Sequence, residues 1–328
     1  MLGDGQTAAQ ALHTAAATAG RAPSIGNTQP WQWLLHGDTL DLSVDRHRVL
    51  ELSDPDGRLA ILSCGAALDH AFVSLAADGW HTTVSRLPDS SHPDHLATVR
   101  ADSRIPIEPD AVRELRALAL RHTDRRPISG VHVDGDKLRS LVAAAESHAS
   151  SLQLLRPDQV FDIARAADHA RRTESGTAAW QAELHHWTGG ARPLHTGLPD
   201  AVIPHGVTPA RKPSRDFGLH SDMLIAETHD RTAVLAILSR PGDRPLDWLR
   251  AGEALSSVWL TATELHVAVL PLSATIEVPA TREILRHLLD DAGYPMLVLR
   301  ISVLKPGTAD APHTPRLRDD QTITRTTA

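Results

Sequence analysis

The sequence predicts an α+β protein, on three observations. A long apolar helical pattern occurs twice, short strand-like runs follow each copy, and clusters of turn residues separate them. The chain has 328 residues, 41% of them hydrophobic, enough to bury a sizeable core in one large or two ordinary domains. Its formal charge is -7, and no block of Lys or Arg marks a nucleic-acid or anionic-membrane footprint, so neither partner is expected. One cysteine, Cys64, excludes an intramolecular disulfide and fits a reducing, cytoplasmic setting. The N-terminus lacks the pattern of a secretory signal, and no run is expected to supply the ~18 apolar residues of a membrane span. The 20 histidines are scattered without metal-ligand spacing; adjacent His185 and His186 would point to different sides of a helix.

Residues 6–20 read as an Ala-rich helix ending at Gly20. A loop follows, then strands at 31–35 and 39–44 across the turn His36-Gly37-Asp38. The cluster Ser53-Asp54-Pro55-Asp56-Gly57 opens a helix over 58–79, where Leu59, Leu62, Ala66, Ala67, Phe72 and Leu75 recur at helical spacing. Strands at 80–87 and 95–101 come next. Helix 109–120 opens on Pro109-Asp110, and after a cationic segment at 121–126 a further helix covers about 134–148. A strand near 151–156 and a helix near 158–185 follow. The stretch 188–218 is rich in Gly and Pro and reads as a lid or binding loop, or as a plain surface loop. Strand 231–239, helices 245–265 and 279–290, and strand 296–304 complete the order.

The two long helices share a pattern. Gly65-Ala66-Ala67-Leu68 opens the apolar body of one and Gly252-Glu253-Ala254-Leu255 that of the other; later strands end in Val99-Arg100 and Leu299-Arg300. Chance explains so few matched positions as readily as duplication does. A duplication would let one chain replace a two-fold dimer interface by a covalent one.

Three clusters carry candidate chemistry. Pro23-Ser24-Ile25-Gly26-Asn27-Thr28-Gln29-Pro30-Trp31 is a tight polar loop able to present N–H groups, a hydroxyl and an amide to a ligand. Read alone, it serves as well as an ordinary helix-to-strand connection. Arg121-His122-Thr123-Asp124-Arg125-Arg126-Pro127 can hold a phosphate by charge-assisted bonds, or can be a solvated charge run. Thr314-Pro315-Arg316-Leu317-Arg318 is a third, weak cationic group near the C-terminus.

Together these clusters resemble the nitroreductase superfamily of FMN-dependent oxidoreductases, and within it the actinobacterial Acg subfamily. Residues 22–31 match the family's APSxxNxQPW loop and 121–125 its RxS/TxR motif; Asp54–Arg58 with Ser63–Leu68 resemble the Acg signature. Pro271-Leu272-Ser273 falls where the family's isoalloxazine-contacting loop sits. The resemblance implies a nitroreductase-like fold, with antiparallel-rich central sheets flanked by helices. In that family the arginine motif precedes the loop; here the loop comes first, about a hundred residues earlier. The halves 1–108 and 109–328, the second with its insert at 188–218, therefore resemble the two subunits of a dimer that jointly complete one site.

By that resemblance Arg121 and Arg316 would hold the FMN phosphate, and Thr123, beside His122, the ribityl or pyrimidine edge. Arg125 would sit at the flavin N1–C2=O edge, where a cation favours the reduced form. Pro23, Ser24 and Asn27 would approach from the other half, and Pro271, Leu272 and the backbone of Ser273 would face N5; family members often have an acidic residue where this chain has Ser273. The expected function is transfer of hydride from NADH or NADPH to flavin, then to a small-molecule acceptor of nitroaromatic or quinone type, by a monomer. Without a GxGxxG motif, no separate Rossmann site for nicotinamide is expected. A protein that stores FMN under a lid formed by 188–218 is the alternative, and an empty scaffold a third.

Overall fold

The computed structural model describes residues 6–123, 130–175, 177–189, 192–202, 232–303 and 313–326. Helix α1 (Ala8–Ala19) starts at a capping box, in which the Thr7 hydroxyl accepts from the Gln10 N–H and the Gln10 side chain accepts from the Thr7 N–H. Strands β1 (Trp31–His36) and β2 (Thr39–Val44) form a hairpin around Gly37, whose φ of +58° a glycine adopts without strain. Helix α2 (Arg58–Ala77) follows, then β3 (Trp80–Arg86) and β4 (His95–Arg104). The Asp54 carboxylate accepts from the Leu59 and Ala60 N–H groups and so caps the start of α2; burial nevertheless pushes its pKa up to about 7.

The second series comprises α3 (Pro109–Leu120), α4 (Gly135–Ser147), β5 (Ser151–Leu154), α5 (Pro157–Ser175), α6 (Ala178–Trp187), β6 (Val234–Arg240), α7 (Pro245–Glu264), β7 (Ala268–Leu272), α8 (Pro279–Leu288) and β8 (Tyr294–Ser302). One sheet has the order β3-β4-β2-β1 and the other β7-β8-β6-β5, so corresponding strands of the two series take corresponding places. Neighbours within these orders are antiparallel. A ninth strand, β9 (Ile323–Arg325), returns from the C-terminus and pairs parallel to β1 at the edge of the first sheet. The chain therefore has the α+β architecture with antiparallel-rich sheets flanked by helices that the sequence predicts.

Four details differ from the sequence reading. The helix expected over 158–185 is two helices, α5 and α6; the sequence places Gly176 between them, and a glycine inside a helix costs about 1 kcal/mol. Strand β9 has no counterpart in the sequence reading. Pro271 and Leu272, expected in a loop, end strand β7, whose place at the sheet edge tolerates a proline without an N–H. Helix α2 is long and apolar enough to cross a membrane, with a mean hydropathy of 1.6, but 89% of that window is buried inside the protein. A helix apolar on all sides belongs at the centre of a fold, and there it lies.

Helices α2 and α7 meet at the glycines of the two matched motifs. A Cβ on Gly65 would stand 2.0 Å from the Leu249 carbonyl oxygen, and one on Gly252 would stand 1.9 Å from that of Leu62. The contact is reciprocal, and the helices approach backbone to backbone. One turn on, Asp69 of α2 is buried at the crossing, and that burial pushes its pKa up to about 8. A methyl group at the crossing has nowhere to go, because the obstructing atoms are main chain. Gly252→Ala is expected to destabilise the protein by roughly 3 kcal/mol or more, at the upper end of overpacking effects, as read from denaturant or thermal unfolding. A variant that melts like the wild type would refute this reading of the crossing.

Candidate functional site

The loop between α1 and β1 folds back on itself. Ile25–Asn27 make one 3₁₀ turn, with φ of +53° at Gly26 and +55° at Asn27. The Ser24 hydroxyl accepts from the Gln29 N–H (3.0 Å), closing the turn. The Ser63 hydroxyl, itself donating to the Leu59 carbonyl in the first turns of α2, accepts from the Ile25 N–H (3.1 Å) and anchors the loop to that helix. The Asn27 side chain is 5% exposed and fully engaged. Its Nδ2 donates to the carbonyls of Gly197 (3.0 Å) and Pro315 (3.0 Å), and its Oδ1 accepts from Arg316 (2.9 Å). Asn27 thus joins three distant segments, where the sequence reading has it reach a ligand directly.

Arg121 ends α3 and brings the second cluster to the first. Its side chain is 5% exposed, and its Nη2 donates to the Arg21 carbonyl (3.1 Å). Arg316 donates to that same carbonyl (3.3 Å), and to those of Ala22, Thr314 and Pro315. Two guanidinium groups therefore converge on one peptide oxygen. Among the described residues neither has a carboxylate partner, and the Nε of each is buried without a hydrogen-bond acceptor. Burial, then the Arg316 charge, lowers the Arg121 pKa to about 9; burial, then Arg21, lowers that of Arg316 to about 10. Behind them His70 is fully buried, and burial with the two guanidinium charges holds its pKa well below the ordinary value, so it stays neutral. His122 and His313 meet edge to face at 5.8 Å beside the pair.

These groups line one cavity. Pro23, Ser24, Ile25, Gly26 and Asn27 form one wall; Arg121, His122, Thr123, His313, Thr314 and Arg316 form a cationic end. Leu59, Leu62, Leu255, Trp259, Leu270 and Leu297 give apolar walls, and Pro271 and Ser273 complete the rim. Of the residues singled out in the sequence, the structure brings Pro23, Ser24, Asn27, Arg121, His122, Thr123, Pro271, Ser273 and Arg316 to this one space. Leu272 is not among them: it is 3% exposed and packs in the hydrophobic core. Arg125 lies outside the described residues. The sequence reading missed Ser63, which sits inside a quoted motif, and Trp259 and His313, which no local signal marks.

Two further segments meet the loop. Gln29 donates to the His195 carbonyl (2.9 Å) and accepts from the Leu317 N–H (2.9 Å), and Gly197 donates to the Asn27 carbonyl (3.1 Å). Leu198 adds to the cavity wall. The preceding helix α6 is anchored by Glu183, which accepts from the Leu52 and Ser53 N–H groups, and by Trp180, which donates to the Ser53 hydroxyl (2.7 Å). Residues 203–218 of the expected lid lie outside the described residues.

No protein-family model matches the chain. Curated proteins do. The chain is 35% identical to a Mycobacterium tuberculosis protein provisionally named NAD(P)H nitroreductase Rv3131, over 322 residues, 96% of this chain and 91% of the relative. It is 31% identical to the provisionally named NAD(P)H nitroreductase Acg of the same organism, over 94% of each chain. The chain belongs to the nitroreductase family that includes Acg. Solved structures of FMN-bound nitroreductases from Bacteroides fragilis and Desulfitobacterium hafniense align with 60% and 66% of the chain and 90% and 98% of their own, at 11% and 12% identity and TM-scores of 0.38 and 0.40. Likeness at that level adds nothing to the assignment, which rests on the sequence relatives.

Two buried guanidinium groups at one end of a cavity form an arrangement able to receive an anion. Two buried like charges destabilise the empty fold, and an anion between them relieves that. Inorganic phosphate is expected to raise the melting temperature beyond the effect of chloride at equal ionic strength, by mass action on the folded state. Arg121→Met is expected to remove the phosphate effect and to leave the melting temperature without phosphate unchanged or higher. An equal response to phosphate in the variant would contradict the assignment.

Proposed function

We propose that the chain binds one FMN in this cavity and works as an FMN-dependent NAD(P)H oxidoreductase. The observation that carries the proposal is the pair Arg121 and Arg316, two guanidinium groups that among the described residues have no carboxylate partner, at one end of a cavity with apolar walls. A flat ring system with a phosphate tail fits that division: apolar walls for the ring, charge-assisted bonds for the phosphate. The site residues are proposed accordingly. Arg121 and Arg316 hold the phosphate, with His122 beside them, and Thr123 meets the ribityl or pyrimidine edge. The turn Pro23–Asn27 and the end of β7 at Pro271 and Ser273 flank the ring. Arg125 is proposed for the N1–C2=O edge on family resemblance alone.

FMN supplies hydride transfer between a nicotinamide donor and an acceptor. The chain's own residues would flank the ring and keep water from the side they cover, and the cationic end would fix the phosphate so that the ring has one orientation. The names of the relatives support NADH or NADPH as donor and a nitro compound as acceptor, with quinone-type acceptors in the same class. A cytoplasmic setting is proposed on the same single-cysteine argument.

The same reading makes the chain an internal pseudo-dimer, with halves 1–108 and 109–328, and a monomer in solution. The matching strand orders and the reciprocal glycine crossing support it. One site rather than two is supported by the region related to the cavity by that symmetry. There Arg86 pairs with buried Glu253 through two bonds (2.8 and 2.6 Å), and His148 and Asp69 pack close by. The short turn 148–150 connects α4 to β5, as the longer loop with Pro23–Asn27 connects α1 to β1. A second reading, a protein that holds FMN without turnover, is favoured by the bonds from residues 195–198 to Asn27 and Gln29 across the cavity wall.

One experiment separates them. Purified protein is expected to carry one flavin per chain by absorbance and to bleach on anaerobic addition of NADH or NADPH. A yellow protein that ignores both nucleotides and bleaches with dithionite would favour the second reading. A colourless protein that ignores added FMN would remove both.

A further inference from the structure

We propose that Trp259 is a positioning residue for the phosphate end of the ligand: its indole face fixes the Arg121 guanidinium in the orientation that meets the anion. The inference rests on the FMN reading of the cavity and adds to it a residue outside every motif quoted above.

The Arg121 guanidinium carbon stands 4.7 Å from the centre of the Trp259 ring. Trp259 is 2% exposed and Arg121 5%, so the contact is made in a desolvated interior, where a cation over an aromatic face is held most strongly. The two residues come from different elements. Trp259 projects from α7, one of the crossing helices, and Arg121 ends α3. A long side chain at a helix terminus has several rotatable bonds to immobilise. Among the described residues the Arg121 guanidinium makes one hydrogen bond, to the Arg21 carbonyl, and its Nε makes none. One bond leaves the plane of the fork free to turn about it. The indole face removes that freedom, since a guanidinium prefers to lie against it. Repulsion from Arg316 pushes the same way: without a surface holding it, a cation facing another cation swings aside. Trp259 also lines the cavity, so a simple packing role against the ligand ring must be told apart from positioning.

FMN and riboflavin make that distinction, because they differ only in the phosphate. Dissociation constants for both are measured by flavin-fluorescence titration of flavin-free protein, for wild type, Trp259→Phe, Trp259→Leu and Trp259→Met. The wild type is expected to prefer FMN. Trp259→Phe keeps an aromatic face and is expected to hold that preference within about threefold. Trp259→Leu is expected to weaken FMN about tenfold, the factor that 1.4 kcal/mol represents, and to leave riboflavin within about twofold. Trp259→Met replaces the ring by a flexible chain that adapts to the space left; it is expected to match the leucine variant and stands in for it should that variant not fold. Equal losses for both flavins, or an undiminished preference for FMN in the leucine and methionine variants, would reduce Trp259 to a wall residue and overturn the proposal. A wild type that binds neither flavin is a different result: it overturns the cofactor reading, and this inference with it.

Discussion

Helices α2 and α7 can touch backbone to backbone only because neither carries a side chain where they cross. The rest of the molecule depends on that spacing. Each helix belongs to one of the two sheets' series, so the crossing fixes the distance between the two halves of the core. It also sets which residues face each other beside it. Leu59, Leu62 and Ser63 on α2 and Leu255 and Trp259 on α7 all line the same cavity. The cavity is therefore a consequence of how two helices pack, and the loop at 23–27 and the end of α3 are laid against it by bonds to those helices.

The charge distribution then gives the cavity its direction. An interior usually pairs its arginines with acids, as Arg86 is paired with Glu253 on the other side of the crossing. At the cavity end, among the described residues, that pairing is missing at both Arg121 and Arg316, and the acceptor they share is a peptide carbonyl. A carbonyl offers a partial charge, and two guanidinium groups ask for more. The neutral His70 behind them adds nothing. This imbalance is what a ligand phosphate corrects, and it is concentrated at one end of an apolar space, which orients any ring attached to the phosphate.

Much of the fold was legible in the sequence where local chemistry decides local structure. Pro109-Asp110 opens α3, Gly37 turns the first hairpin, and Asp54 caps α2. The misreadings fall where a distant partner decides. Apolar spacing runs on past Gly176, so two helices read as one. Ile323–Arg325 is too short to announce a strand, and it becomes one because β1 offers it an unpaired edge. Pro271 looks like a loop residue until β7 proves to be a sheet edge. At the site the motif residues were legible through family resemblance, and the cationic cluster through charge alone. The tie that Asn27 makes to Gly197, Pro315 and Arg316 was not, nor was the indole under Arg121, because each joins elements far apart in the chain.

The central claim is that a turn from the first half and an arginine from the second serve one ligand. A crystal structure of the protein grown with FMN tests it most directly. The account requires a single flavin per chain, its phosphate bonded to both Arg121 and Arg316, and its ring against residues 23–27. Flavin density in any other place, or a phosphate in contact with neither arginine, would contradict it.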